Sequence, residues 1–330
     1  MATDQPGSGD VHVDALLTNI SVGYINLLYI VSQILPTVLV QKRSDIVPKY
    51  DKSHWFRDDA KELSEREAAP VSGYAVDVTD TYYCREYGFG HFVGDARKAN
   101  TDRPFDADRD GVRLVSDKLL LKEERKFVED FWKIGVWGTD KTGAADFVKW
   151  SVYANSTPIN DLRNYARTIR RSLGGIVPNV LVLGDLTFDI LCDHPTLLNR
   201  IKYSSSSDKP AMVTPSLIAQ LAGVDRVLVG TSMYTASPEG TAEGSVVYTA
   251  NWDDDALLLY VAPRPSLFTP SAGYNFVWRT AMGGPRYIKR RRDPLSDKGM
   301  LIEGYEFFDQ KGVATDAALF MSDAVDVIVP

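Results

Sequence analysis

The clearest periodic pattern of apolar positions lies between residues 112 and 132. Leu120, Phe127 and Phe131 recur at spacings of seven and four residues, and the same spacing repeats one position later. This periodicity predicts an amphipathic helix with one apolar stripe. At about 1.5 Å per residue the helix would run for roughly 30 Å, long enough for a structural spine. The residues of the second repeat are Leu121, Val128 and Trp132.

Charged residues support the same helix on its opposite side. Arg125 and Glu129, and likewise Lys126 and Asp130, are opposite charges four residues apart, a spacing at which helical side chains meet. Aspartates crowd the N-terminal approach, where the helix dipole favours negative charge. The local sequence therefore specifies this helix well.

An aromatic segment with strand-like alternation precedes the helix. Tyr74, Val76 and Val78 alternate with other residues, and β-favouring residues continue to Cys84, which predicts strand. A dense aromatic run could stack the bases of single-stranded nucleic acid, but the basic groove for that use is absent nearby. Packing in a core or at an interface is therefore the better interpretation. The run comprises Tyr82, Tyr83, Tyr87, Phe89 and Phe92.

Short strands and helices dominate the second half of the chain. Strands are predicted at 180–183, 226–229, 256–261, 274–279, 304–308 and 325–327. Helices are predicted from 184 to 197 or 198 and over 214–221, with Phe188, Leu191 and Cys192 facing inward in the first. Loops are expected at 138–143, 204–209 and 240–244. This is a mixed α/β pattern with short connections.

The residues from 15 to 41 carry no charge, and such a stretch could cross a bilayer of about 30 Å. Five polar residues interrupt it, Pro36 lies inside it, and no basic segment precedes it. We therefore expect no membrane insertion and interpret the segment as an arm that is buried or covered by a partner. A short helix could open it at 14–20, and extended chain is favoured at 37–40. The polar residues are Asn19, Ser21, Asn26, Ser32 and Gln33.

Composition and charge narrow the class of protein. The 330 residues are 44% hydrophobic and 25% charged, as in a folded chain. Two lobes are expected, because single cores stop growing at roughly 250–300 residues. The net charge of −7 argues against a main surface that grips phosphate, without excluding the enclosure of nucleic acid. Cys84 and Cys192 lack CxxC spacing and are expected to be free thiols in a reducing compartment.

One stretch resembles a calcium-binding loop. Asp106, Asp108 and Asp110 occupy positions one, three and five, Gly111 occupies position six, and Asp117 occupies position twelve. However, position twelve is usually Glu, position eight is basic where an apolar side chain is usual, and no second copy follows. The favoured alternative is that these aspartates cap the helix and complement its dipole.

No catalytic constellation is evident elsewhere. The histidines share no ligand spacing and lie in no GxSxG-like neighbourhood, so surface or packing roles are expected. The acidic triplet 253–255 predicts a solvated turn before a strand. The basic run 289–292 could contact nucleic acid or an acidic neighbour, or form a solvated turn or a salt bridge between subunits. We expect no catalytic, cofactor-binding or metal site, no cofactor and no enzyme. The histidines are His12, His54, His91 and His194.

The order of several segments resembles the HK97-fold major capsid proteins of tailed bacteriophages. The likeness extends over nearly the whole chain, and it depends on the order and spacing of motifs that are individually weak. These motifs include Leu35-Pro36-Thr37-Val38, Tyr82-Tyr83-Cys84-Arg85-Glu86-Tyr87, Val93-Gly94-Asp95-Ala96, Asp102-Arg103-Pro104, Ser116 to Glu124, Asn155-Ser156-Thr157-Pro158-Ile159, Pro178 to Gly184 and His194-Pro195.

The resemblance implies an α+β capsid fold with an N-terminal arm, an extended E-loop hairpin, a P-domain with a long spine helix and a mixed α/β A-domain. The arm would occupy residues 1–54, the E-loop 55–95, the P-domain 96–177 and the A-domain 178–300, with return strands at 301–330. The arm, the aromatic loop and the spine helix are then expected to be contact surfaces, because apolar arms are liabilities in a monomer.

The function implied is that of a major capsid protein. It would assemble through hexamers and pentamers into an icosahedral or prolate shell around double-stranded DNA, without sequence-specific binding. Expected partners are further copies of the chain and portal, scaffolding and decoration or cement proteins, with assembly in the host cytoplasm and a final place in the virion. Two alternatives are an encapsulin-like nanocompartment shell and an unrecognised soluble α/β enzyme.

Overall fold

The computed structural model describes residues 12–13, 21, 26, 28–50, 57–100, 106–204, 213–265, 270–279, 285–295 and 297–326. Its helices in chain order are α1 (Val31–Ile34), α2 (Asp95–Ala99), α3 (Ala107–Phe131), α4 (Pro158–Ser172), α5 (Asp185–Cys192), α6 (Pro195–Ser204) and α7 (Pro215–Ala222). No helix among these residues is long and apolar enough to span a membrane.

The strands form two larger sheets and three two-stranded ladders. In chain order they are β1 (His12–Val13), β2 (Thr37–Val40), β3 (Ser44–Ile46), β4 (Lys49–Tyr50), β5 (Val76–Asp77), β6 (Thr81–Tyr83), β7 (Arg85–Gly94), β8 (Thr139–Thr142), β9 (Val180–Gly184), β10 (Arg226–Gly230), β11 (Met233–Thr235), β12 (Tyr248–Ala250), β13 (Ala256–Leu259), β14 (Gly273–Trp278), β15 (Arg286–Arg292), β16 (Gly299–Gly312) and β17 (Ala318–Ser322).

The predicted spine helix is α3, and it begins five residues before the predicted start. The reason is its cap: Oδ1 of Asp106 accepts hydrogen bonds from the backbone N–H groups of Asp108 and Arg109 at 3.0 and 3.3 Å, which satisfies orphan donors of the first turn. Both predicted ion pairs on the outer side form, Arg125 with Glu129 and Lys126 with Asp130.

The six-stranded sheet has the order β1-β15-β16-β14-β2, with β7 also paired to β16. Helix α3 packs on this sheet through a cluster that includes Val112, Val115 and Leu119. The approach is close, since a Cβ at Gly304 would lie 2.4 Å from Cγ1 of Val115. A side chain at position 304 would therefore push the helix off the sheet.

The five-stranded sheet has the order β10-β9-β13-β17-β8. Strands β9, β13 and β17 are buried along their whole lengths, as expected of strands covered on both faces. Helices α5, α6 and α7 connect β9 to the parallel strand β10. The strands predicted at 180–183, 226–229 and 256–261 and the helix predicted at 214–221 are thus present, with bounds shifted by one or two residues.

Several local predictions were wrong. The segment 138–143, predicted as a loop, contains β8, which pairs in parallel with β17. The single helix predicted from 184 divides into α5 and α6 at His194, because Pro195 starts the second helix. The basic run 289–292 lies in β15 and is not a turn. The last described strand is β17, so the predicted strand at 325–327 is absent at 325 and 326, and residue 327 lies outside the described part.

The predicted aromatic hairpin is formed by strands on both sides of residues 51–75. Strand β3 pairs with β6, and β4 pairs with β5, both antiparallel. Strand β7 then leaves the hairpin and pairs with ten residues of β16. The second half of the aromatic run therefore belongs to the six-stranded sheet. The short helix predicted at 14–20 and most of the predicted tip at 204–209 lie outside the described residues.

Candidate functional site: contact surfaces and buried carboxylates

The arm lies along the spine helix and is held by polar contacts. Nδ2 of Asn26 donates to Oδ1 of Asp117 at 2.7 Å, and the Tyr29 hydroxyl donates to Oδ2 of the same carboxylate at 3.3 Å. At the preceding residue of the helix, Oγ of Ser116 donates to Oγ of Ser21 at 2.7 Å. These contacts place the arm's uncharged chain against α3 before it enters the sheet as β2.

The strongest anchor of the arm is Glu124, a fully buried carboxylate on α3. Its Oε2 accepts the backbone N–H groups of Ile30 and Val31, both at 3.1 Å. Its Oε1 accepts Nε1 of Trp252 at 2.7 Å and Oγ of Ser232 at 3.2 Å. Burial raises the pKa of Glu124 to about 7, while its hydrogen bonds act in the opposite direction. One side chain thus links the arm, the spine helix and the end of β12 that leads into the five-stranded sheet.

The neighbouring Glu123 is buried in different surroundings. Nδ2 of Asn275 donates to its Oε1 at 2.5 Å. Asn275 and Gln310 face each other across β14 and β16 and both contact Glu123. Each holds a buried side-chain carbonyl oxygen with no hydrogen-bond donor among the described residues. A protonated carboxyl group at Glu123 would supply such a donor. Burial raises the pKa of Glu123 to about 8, with Glu306 adding to the shift and Arg286 opposing it.

The E-loop hairpin presents several exposed apolar side chains close together in sequence. Val71 is 96% exposed and Tyr74 is 63% exposed, with Val76 and Val78 also open to solvent. Exposed apolar patches of this kind mark contact sites. The surface, here called the hairpin tip, comprises residues 71–78.

The aromatic run 82–92 divides between core and surface. Tyr82 stacks on Phe276 with ring centroids 4.7 Å apart, and Tyr87 stacks on Phe308 at 4.5 Å. Phe89 and neighbouring Phe92 remain about two-fifths exposed on the outer β7 strand. The packing interpretation therefore holds for Tyr82 and Tyr87, and Phe89 and Phe92 are available for an interface.

The stretch that resembles a calcium loop is helical from residue 107 onward. Asp106 caps the helix, and Oδ2 of Asp108 accepts from Nζ of Lys98 at 2.5 Å and from Arg290 at 3.4 Å. Asp117 contacts the arm. These carboxylates do not converge on one point, and the described residues hold no cluster of potential metal ligands.

The basic run 289–292 has acidic partners within its own chain. Arg291 pairs with Glu303 at 2.8 Å, and Arg292 pairs with Asp95 at 2.8 Å. Arg290 pairs with Asp108 at 3.4 Å. An intramolecular role in β15 explains these charges better than a surface for nucleic acid.

One buried pair resembles part of a hydrolase site and was not predicted. Oγ of Ser156 lies 2.9 Å from Nε2 of His194, and Nδ1 of His194 lies 2.7 Å from Oγ1 of Thr196. Ser156 and His194 are both buried, no carboxylate among the described residues orients the ring, and burial lowers the pKa of His194. The pair joins α6 to the loop before α4 and fits the packing role predicted for His194.

The acidic turn 253–255 is less solvated than predicted. Asp253 is exposed, but burial raises the pKa of Asp255 to about 7. Oδ1 of Asp255 accepts the backbone N–H of Asp323 at 2.7 Å, which links the start of β13 to the end of β17. This contact is structural.

Comparisons with known proteins agree with this architecture. No family model matches the chain. The major capsid protein of Burkholderia phage BcepMu is 25% identical over 321 residues, which cover 94% of this chain and 96% of that protein.

Solved structures show the same fold. A phage-related protein of Bordetella bronchiseptica superposes with a TM-score of 0.73 at 20% identity and covers 95% of this chain and 98% of its own. The capsid protein of cyanophage P-SCSP1u has a TM-score of 0.55 at 11% identity and covers 89% of this chain and 88% of its own.

The chain has the HK97-type capsid fold, which the solved structures above share. Over nearly its full length its sequence is similar to that of a phage major capsid protein. The predicted fold class and the resemblance stated from the sequence are both confirmed.

Proposed function

We propose that this chain is the major head protein of a tailed phage and assembles through hexamers and pentamers into an icosahedral or prolate shell around double-stranded DNA. The observation that carries the proposal is the pairing of a capsid fold with an apolar hairpin tip that this chain leaves uncovered. Each contact between subunits can be weak, since many contacts per subunit add up in a closed shell. The subunit would have no enzymatic activity of its own.

The enclosed DNA would be held without sequence-specific contacts. The net charge of −7 and the internal pairing of the basic run 289–292 support this view, because duplex binding depends on Lys and Arg that are free to neutralise phosphates. Portal, scaffolding and decoration or cement proteins would be further partners. Assembly would take place in the host cytoplasm, and the finished shell would be part of the virion.

The five-segment division is proposed with one adjustment. Strands β14 and β15 fall within the segment 178–300 assigned to the A-domain, yet they pair in the six-stranded sheet beside α3. We group them with the spine helix in the P-domain. The A-domain then centres on strands β9, β10 and β13 and helices α5 to α7.

An encapsulin-like compartment shares the fold, so the architecture alone does not separate the two functions. The phage major capsid protein that matches over nearly the full length of both chains favours the phage shell. Nucleic acid inside particles from the natural source, as opposed to a cargo protein, would separate the functions directly.

The test is to express the chain alone and image it by electron microscopy with a matched pair of variants. Capsomers or shells are expected from the wild type. Val71→Asp should reduce assembly because it places a charge in the apolar hairpin tip, whereas Ser72→Asp adds the same charge at the next, polar position and should assemble nearly normally. Persistent wild-type monomers would contradict the proposal.

A further inference from the structure

Helix α4 carries a row of positive charge on its solvent face. Its inner side, which includes Ile159, Leu162 and Ile169, is buried against the five-stranded sheet and α7. Its outer side carries arginines at helical spacing, all exposed. We call this row the arginine stripe: Arg163, Arg167, Arg170 and Arg171.

The arginine stripe has no acidic partner within 4 Å among the residues that the structure describes. Its one recorded polar contact is from Nε of Arg163 to the backbone oxygen of Leu221 at 3.0 Å. The helix dipole accounts for Arg170 and Arg171, which lie in the last turn. It does not account for Arg163 and Arg167, and like charges four residues apart destabilise a helix. The arrangement therefore calls for a counter-charge from outside.

Helix α5 carries the opposite pattern. Asp185, Asp189 and the C-cap residue Asp193 follow one another at four-residue spacing, and we call them the aspartate stripe. Asp189 and Asp193 are exposed and have no cationic partner within the described chain. Burial raises the pKa of Asp185, with Asp253 and Asp189 adding to the shift. Asp193 lies at the C-terminal end of α5, where the helix dipole disfavours an anion.

The two stripes match in length and sign. Each extends over nine residues, about 12 Å of helix, and each gathers like charges that have no oppositely charged partner among the described residues. Surfaces that differ but fit each other make heterologous contacts, and such contacts close into rings when copies are related by rotation. A second copy of this chain supplies the required counter-charge with the required spacing.

We propose that the arginine stripe of one subunit packs against the aspartate stripe of the next subunit within a capsomer. This inference rests on the proposed shell function and adds a specific intersubunit contact to it. The contact is electrostatic, so salt should weaken it. Nucleic acid is the other class of partner that arginines suit, but the matching stripe on the same chain favours the second copy.

The test uses two charge reversals, Arg167→Glu/Arg171→Glu and Asp189→Lys/Asp193→Lys, with Arg167→Lys/Arg171→Lys as the charge-conserving control. Sedimentation velocity and electron microscopy measure the assembled fraction, and circular dichroism checks that each variant folds. Each reversed variant alone should assemble about tenfold less at equal concentration, and the control should assemble like the wild type.

Mixing the two reversed variants is the decisive measurement. In a ring where the two variants alternate, the acidic α4 of the arginine variant meets the basic α5 of the aspartate variant. The basic α4 of the aspartate variant meets the acidic α5 of the arginine variant, so six-membered capsomers should reappear. Five-membered rings would retain one like-charge contact.

Reversed variants that assemble normally, or a mixture that fails to assemble, would overturn the inference and leave the shell function standing. A variant of the arginine stripe that forms shells but loses duplex DNA would assign the stripe to nucleic acid. A wild type that forms no capsomers would contradict the shell function and this inference together.

Discussion

The two faces of the spine helix at Glu123 and Glu124 differ sharply, although the residues are adjacent and of one type. Facing the arm and the five-stranded sheet, Glu124 accepts hydrogen bonds at both oxygens from main-chain and side-chain donors. Facing the six-stranded sheet, Glu123 has one amide donor and two neighbouring side-chain carbonyl oxygens that find no donor in the described part of the chain. The surroundings of Glu124 suit a carboxylate, and those of Glu123 suit a carboxylic acid.

The comparison shows that burial alone does not decide what a carboxyl group does. Burial raises the pKa of both groups, because a charge loses its hydration in the interior. Because their hydrogen-bond partners differ, Glu124 anchors the arm and Glu123 forms a neutral link to the six-stranded sheet. Substitution by glutamine, which has the same shape and no charge, should separate the two roles.

The largest effect is expected for Glu124→Gln. The amide offers one acceptor oxygen where four donors now converge, so at least one buried N–H group loses its partner. The free energy of unfolding should fall by about 3 kcal/mol, and the arm should become more sensitive to limited proteolysis. Urea denaturation of unassembled subunits, followed by tryptophan fluorescence, measures the first effect.

Glu123→Gln is the matched substitution, and its effect should depend on pH. The pKa of Glu123 is raised from 4.5 to about 8 in the folded state, so the stabilisation by its proton is complete below pH 4.5 and is lost as the pH rises through 8. The wild type should therefore lose stability relative to the glutamine variant between pH 5 and pH 9. One unit of pKa shift corresponds to about 1.4 kcal/mol, so a difference of about 2 kcal/mol or more is expected.

Subtracting the unfolding free energy of the variant from that of the wild type removes the contributions of other groups that titrate in this range. One such group is Asp255, whose pKa burial raises to about 7. A difference that stays constant between pH 5 and pH 9 would show that Glu123 does not change its protonation state. A variant as damaged as Glu124→Gln would show that the two faces do not differ.

These two glutamates also mark what the sequence could not predict. Glu123 continues an apolar series at four-residue spacing from Val115 through Leu119 to Phe127, which is the one local signal that it faces inward. An adjacent pair of glutamates otherwise indicates a solvated face, and the partners that bury them lie far away in the chain. Their burial is therefore a tertiary property. Leu120 and Leu121, placed on the predicted stripe, are only half-buried.

The strands differ in the same way. Strands β9 and β13 of the five-stranded sheet were predictable because their apolar runs, such as Val180–Gly184, are characteristic of strands covered on both faces. Strand β15 was missed because its charges pair with residues on neighbouring elements. Strand β8 was missed because Thr139–Thr142 has no apolar residue and depends on pairing with β17.

A smaller effect is expected at the N-terminus of the spine helix, where Asp106 is an exposed carboxyl group that accepts two backbone N–H groups. Asp106→Ala should lower the free energy of unfolding by about 1 kcal/mol, whereas Asp106→Asn, which retains the acceptor oxygen, should cost a fraction of that. Equal losses for both variants would indicate that charge and not capping matters. Heat released by Ca²⁺ in a calorimetric titration, lost in Asp106→Ala, would assign this carboxylate to a cation site.

The smallest effect is expected for Glu129→Gln, which removes the exposed ion pair with Arg125 at 2.6 Å. The loss should be about 0.3–0.5 kcal/mol at low ionic strength and should disappear in high salt. The hydrogen bond from Arg125 lowers the pKa of Glu129 below 4.5, so this stabilisation is present above pH 4.5 and is lost as the pH falls. Its pH dependence is therefore opposite in sign to that of Glu123, six residues away on the same helix. Double-mutant cycles measured at pH 3.5 and pH 7 should show a larger Arg125–Glu129 coupling at the higher pH.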